Sequence, residues 1–116
     1  MRIELIAFVT GAALASVIAP SVAQNTVVPV TIDNFVFEPA RVTVKAGTTV
    51  TWTNRDDIPH TVAAKERQFK SKVMDTDESY SFTFSTPGEY TYFCSLHPHM
   101  TGTIVVEGTA GSGASQ

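Results

Sequence analysis

The stretch that decides the fold is YSFTFSTPGEYTYFCSLHPHMTGTIVVE, residues 80–107. Tyr80, Phe82 and Phe84 alternate with Ser81 and Thr83, and the run stops at Thr86-Pro87-Gly88. Tyr90, Tyr92 and Cys94 share one face of the next run, which turns Phe93 to the opposite face. Ile104 and Val106 share a face of the last, a strand predicted over Thr101 to Glu107. Alternation over about five residues marks a half-buried strand. The same period recurs upstream. Val42 and Val44 alternate with Thr43 and Lys45 before Ala46-Gly47, and Val50 and Trp52 alternate with Thr49, Thr51 and Thr53. Further strands are expected around Val27 to Ile32 and over His60 to Ala64, with Lys65 to Ser79 a connection carrying a short strand. Many short strands separated by Gly/Pro turns predict an all-β chain, an antiparallel sandwich or barrel.

The ends of the chain read differently. Leu5 to Ala19 is an uncharged, mostly apolar run behind Arg2, closed by Pro20 and followed by Ser21-Val22-Ala23. That is the pattern of a secretory leader cut after Ala23, and the run falls short of the ~20 residues a membrane span needs. The expected organisation is a leader over residues 1–23, one domain over 24–107 and a Gly/Ala/Ser-rich tail over 108–116. The product is expected in the periplasm or outside the cell, with no membrane anchor. After the leader, 11 Val and 15 Thr stand against a single Leu, Leu96. That composition suits pleated strands. The net charge of −3 over 116 residues argues for one domain and against a nucleic-acid partner.

Cys94 is the only cysteine. It can form neither an internal disulfide nor a multi-thiolate zinc site, and an unpaired thiol in an oxidising compartment needs an explanation. The block Cys94-Ser95-Leu96-His97-Pro98-His99-Met100 supplies one. A thiol, two imidazoles and a thioether follow one strand and precede the next, and His60 is the one histidine elsewhere. Taken singly, each residue has an ordinary structural reading: Cys a small core residue, His a hydrogen-bonded one, Met a gap filler. Together they form a metal-binding set of His60, Cys94, His97 and Met100. Thiolate plus two imidazoles with a weak axial thioether is the blue-copper donor set. Thioether is a poor zinc ligand, and copper outranks zinc in affinity. The spacing Cys-x-x-His-x-x-Met favours His97 over His99 as the ligand, and Met74 is read as packing.

Three stretches carry a family resemblance: FVFEPARVTVKAGTTVTWTNRDDIPHTV (35–62), YSFTFSTPGEYTYFCSLHPHM (80–100) and GTIVVE (102–107). The chain resembles the cupredoxins, in their amicyanin and plastocyanin-like branch, over nearly its whole length after the leader. The resemblance implies an eight-stranded Greek-key β-sandwich with one copper ion, Cu(I)/Cu(II), held by His60, Cys94, His97 and Met100. It implies that Asn54 ties the two ligand-bearing loops together near the thiolate. The amicyanin branch has an aromatic residue where His99 stands and a proline where Leu96 stands.

The function expected is that of an exported, monomeric electron carrier and not an enzyme. His97 would present a solvent edge, rimmed by Ile58, Pro59, Leu96, Pro98 and His99, for transient docking to redox proteins. Those partners would be a c-type cytochrome or a periplasmic dehydrogenase or oxidase. Asp56 and Asp57 would steer a basic partner or be plain solvated charges. The rival reading is a periplasmic copper-binding protein for copper delivery or storage.

Overall fold

The computed structural model describes residues 26–108, so the expected leader and nearly all of the expected tail lie outside the described residues. The strands are β1 (Val27–Asp33), β2 (Val36–Glu38), β3 (Arg41–Lys45), β4 (Thr48–Asn54), β5 (Ala63–Ala64), β6 (Ser79–Phe84), β7 (Gly88–Cys94) and β8 (His97–Glu107). No helix occurs among the described residues. The strands form two four-stranded sheets, ordered β2-β1-β4-β6 and β3-β8-β7-β5.

The alternating residues divide as their period requires. Val30, Ile32, Val50, Trp52 and Phe84 of the first sheet meet Val44, Tyr92, Cys94, Ile104 and Val106 of the second in one core. Trp52 sits at its centre, stacked on Phe69 at 5.7 Å and edge-on to Tyr92 at 5.4 Å. The outer face of the β4–β6 pair carries a ladder of hydroxyls, Thr49–Thr83, Thr51–Ser81 and Thr53–Ser79, at 2.7–2.8 Å. Cross-strand hydroxyl pairs of this kind help hold a sheet together. At Gly102, opposite Tyr92 in the β7–β8 ladder, a Cβ would meet the Tyr92 ring at 2.4 Å. Only glycine fits there.

The structure corrects the antiparallel expectation. β1 runs parallel to β4, and β3 runs parallel to β8. The chain leaves the first sheet after β2, lays β3 in the second and returns for β4, so β4 meets β1 by a crossover and not by a hairpin. Alternation reports which face a residue takes, not strand direction, so the sequence pattern is silent on this. The expected strand from His60 shrinks to Ala63–Ala64, preceded by a lone bridge between His60 and Met74. β2 was not anticipated, because three residues are too short to show a period. β8 starts at His97, four residues earlier than expected.

Candidate metal centre

The β7–β8 hairpin builds most of the site. Cys94 pairs with His97 around the two-residue turn Ser95-Leu96, while the preceding Phe93 pairs with Thr101. Pro98, His99 and Met100 are therefore extra residues on β8, a bulge of the sort that re-aims side chains. Cys94 and Met100 are buried in the core cluster, His97 is half-buried, and Leu96, Pro98 and His99 are exposed. The spacing Cys-x-x-His is thus a tight hairpin with its candidate ligands at the two ends of the turn.

His60 reaches the hairpin from the connection after β4. It is fully buried, and its backbone exchanges two hydrogen bonds with Met74, at 3.1 and 2.9 Å. Met74 thus fixes the His60 backbone as well as filling the core, a role that side-chain reasoning does not reveal.

The structure brings His60, Cys94 and His97 together. Cys94 Sγ lies 3.7 Å from His60 Nδ1 and 3.6 Å from His97 Nδ1, and all three donor atoms lie within 4.8 Å of one another. Ligands 2.0–2.3 Å from a shared ion stand about 3.5–4 Å apart, so both Sγ–Nδ1 separations suit a common metal. With buried Met100 on the same hairpin, the four residues form a candidate copper site.

Hydrogen bonds orient these donors. His60 Nε2 lies 3.0 Å from Asp56 Oδ2, so Nε2 carries the proton and Nδ1 is left free to bind a metal. The same carboxylate oxygen accepts the Phe35 N–H at 3.1 Å, and Oδ1 accepts the Asp57 N–H at 3.1 Å. The bond to His60 holds the Asp56 carboxyl below its ordinary value, with burial opposing and the Phe35 and Asp57 N–H groups assisting. Asp56 is 8% exposed. It is therefore no steering charge: its carboxylate is engaged with His60 and Phe35, and of the acidic pair only Asp57 faces solvent.

Asn54 is fully buried and orders the loop leading to His60. Its Nδ2 donates to the carbonyls of Ile58 and Met74 at 3.0 Å, and its Oδ1 accepts the Asp56 N–H at 2.9 Å. The tie between the two ligand-bearing segments falls instead to Thr61. Its backbone N–H donates to Cys94 Sγ at 3.3 Å, and its Oγ1 accepts the Ser95 N–H at 2.7 Å. Phe35 was also missed by sequence reasoning. Its ring lies edge-on to both His60 and His97, although it comes from the turn between β1 and β2 of the first sheet. No spacing rule connects Phe35 or Thr61 to Cys94; the fold does. Phe93, on the face opposite Cys94, lines a groove of about 600 Å³ with Lys65, Arg67 and Lys70.

Comparison with known proteins agrees with this geometry. The family model of the cupredoxin-like domain matches residues 5–106, which takes in part of the stretch read as leader. The chain is 41% identical over 85 residues to an amicyanin of Paracoccus versutus, covering 69% of this chain and 64% of that one. It is 40% identical over 76 residues to amicyanin-alpha of Methylorubrum extorquens, covering 61% and 64%. It thus spans slightly less than two thirds of the length of these two relatives. Among solved structures, an oxidized mutant of amicyanin matches with a TM-score of 0.65 at 38% identity, over 69% of this chain and 81% of that one. A purple cupredoxin from Nitrosopumilus maritimus matches with a TM-score of 0.67 at 29% identity, over 69% and 99%. In fold, donor set and sequence the chain is a member of the cupredoxin-like family.

Proposed function

We propose that this protein is a blue copper electron carrier that shuttles single electrons between redox proteins, exported to the periplasm or beyond. The observation that carries the reading is the convergence of one thiol and two imidazole Nδ1 atoms within 4.8 Å, in a pocket whose donors are already oriented. Copper, when bound, supplies a one-electron Cu(I)/Cu(II) couple that this mixed soft and borderline donor set accepts in both states. The chain's own residues do the rest. Cys94 offers the thiolate, with the Thr61 N–H moderating its charge. His60, locked by Asp56, would be the buried nitrogen donor, and Met100 would supply the thioether. His97 is half-buried and provides the edge through which an electron leaves.

The rim of Ile58, Pro59, Leu96, Pro98 and His99 is mostly apolar, and Leu96 is 47% exposed. Small apolar contacts suit brief encounters of the kind electron transfer uses. Family membership and the leader read from the sequence support export, and the names of the relatives support a carrier over an enzyme. The test is voltammetry of the copper-loaded protein, paired with transfer of its copper to a chelator. A reversible one-electron wave with slow copper loss is expected. Rapid loss without a reversible wave would favour copper delivery and overturn the reading.

A further inference from the structure

The β1–β2 hairpin is closed by the pair Asp33 and Val36, leaving Asn34 and Phe35 as its two-residue loop. Both are left-handed, with φ of 53° and 61°. A loop with two such residues strongly prefers Asn-Gly, because a side chain at the second position crowds the backbone. The sequence has Asn there but places a phenylalanine where glycine belongs. The ring does not repay this by core burial: Phe35 is 36% exposed and lies outside the core cluster.

What the ring touches is the metal centre. Its centroid lies 5.0 Å from that of His97 at 88° and 5.5 Å from that of His60 at 86°. The two imidazoles are themselves 5.0 Å apart, so the three rings form a closed triangle. Edge-to-face contacts at this range are attractive and directional. The Phe35 N–H also donates to the Asp56 oxygen that bonds His60. One residue of the β1–β2 loop is therefore fastened to both imidazoles and to the carboxylate behind one of them. A bulky residue held in an unfavourable conformation beside a donor set points to function, since local preference and fold disagree there.

We propose that Phe35 is a positioning residue that holds the His60 and His97 rings in their metal-binding orientations, at a cost in hairpin stability. The proposal rests on the copper reading for one of its measurements only. In the metal-free protein, Phe35 sets the ring orientations by contact alone. In the copper-loaded protein, the same restraint slows release of the ion, because a donor that cannot rotate away cannot open the site.

The experiment compares the wild type with Phe35→Gly and Phe35→Tyr in three measurements. These are the melting temperature without metal, the NMR ring signals of His60 and His97 without metal, and the rate of Cu(I) transfer to a chelator. Phe35→Gly is expected to melt no lower than the wild type, because its loop becomes Asn-Gly. Its histidine ring signals broaden or shift, and copper release accelerates about 10- to 100-fold, as when a group orienting a ligand is lost. Phe35→Tyr restores wild-type rings and release. Two results overturn the proposal: ring signals in Phe35→Gly that match the wild type, or a melting temperature below that of the wild type, which would mark Phe35 as ordinary packing. Should the wild type bind no copper, the copper reading falls separately, and the metal-free ring signals still decide the role of Phe35.

Discussion

Thr61 and Cys94 lie 33 positions apart in sequence, yet the Thr61 N–H donates to the Cys94 Sγ at 3.3 Å. Its hydroxyl is bonded to both the N–H and the Oγ of Ser95, each at 2.7 Å. One residue thus donates to the sulfur and clamps the turn that follows it. Replacing Thr61 by Val keeps the backbone bond and the side-chain shape but strips the Ser95 N–H of its acceptor. Ser95 is exposed, so its N–H turns to water and the loss is that of one hydrogen bond, about 0.5–1.5 kcal/mol. Thr61→Val is expected to melt several degrees lower and to bind copper roughly tenfold more weakly, while Thr61→Ser stays near the wild type. Thermal melts and chelator competition check both.

Asp56 carries the pH dependence on the acid side. Its carboxyl is held below the ordinary value of 3.8, chiefly by His60. A depressed carboxyl contributes stability that is present above its unfolded value and lost as pH falls through the folded one. Asp56→Ala leaves the Phe35 N–H and His60 Nε2 without their acceptor, at a cost of about 1–3 kcal/mol near neutral pH. In urea unfolding of the metal-free protein, the gap between wild type and Asp56→Ala is expected at pH 7. It should narrow below about pH 4, where the free carboxyl titrates.

On the alkaline side burial raises both Tyr80 and Tyr92, and Tyr92 the more strongly. Burial pushes its hydroxyl up to about 12. The Trp52 indole opposes that shift, although neither polar atom has a partner in good hydrogen-bond geometry. Because burial penalises the phenolate, the fold keeps its full stability below the unfolded value near 10 and loses it as pH rises through the folded one. The gap corresponds to about 3 kcal/mol. Tyr92→Phe is expected to remove this alkaline loss between about pH 10 and 12. At pH 7 it should cost little, because the hydroxyl leaves no partner behind. Urea midpoints against pH measure both.

Gly102 is set by Tyr92. With a Cβ placed 2.4 Å from the ring, and the ring held by Phe37 at 4.7 Å and Trp52 at 5.4 Å, Gly102→Ala must displace packed aromatics. Overpacking of this kind costs about 1–3 kcal/mol. The melting temperature is expected to fall by about 4–8 °C for each of those kcal/mol.

The parts of this protein that sequence shows are those written in local periods. The alternation of Val50 and Trp52 with threonines assigned β4 its faces, and Cys-x-x-His gave two candidate ligands because a two-residue turn brings its ends together whatever the fold around it. His60 was legible by elimination, as the one histidine outside the block. Asp56 misled because its neighbour Asp57 looks identical in sequence. What separates them is the His60 ring four residues on, which draws one carboxylate inward. Thr61 and Phe35 were hidden for a different reason: Thr61 meets Cys94 through the pairing of β5 with β7, and Phe35 meets the histidines only where the two sheets face each other, and neither leaves a local mark. The parallel pairing of β1 with β4 was invisible for the same reason, since a crossover leaves no local mark.

The central claim is that Cys94 is the thiolate of a copper site shared with His60, His97 and Met100. Its most direct test is the visible spectrum on titration of the metal-free protein with Cu(II), alongside Cys94→Ala. An intense thiolate-to-copper absorption at roughly 600 nm, saturating at one ion per chain and absent in Cys94→Ala, is the result expected of this donor set. A colourless Cu(II) complex, or colour that survives Cys94→Ala, would contradict it.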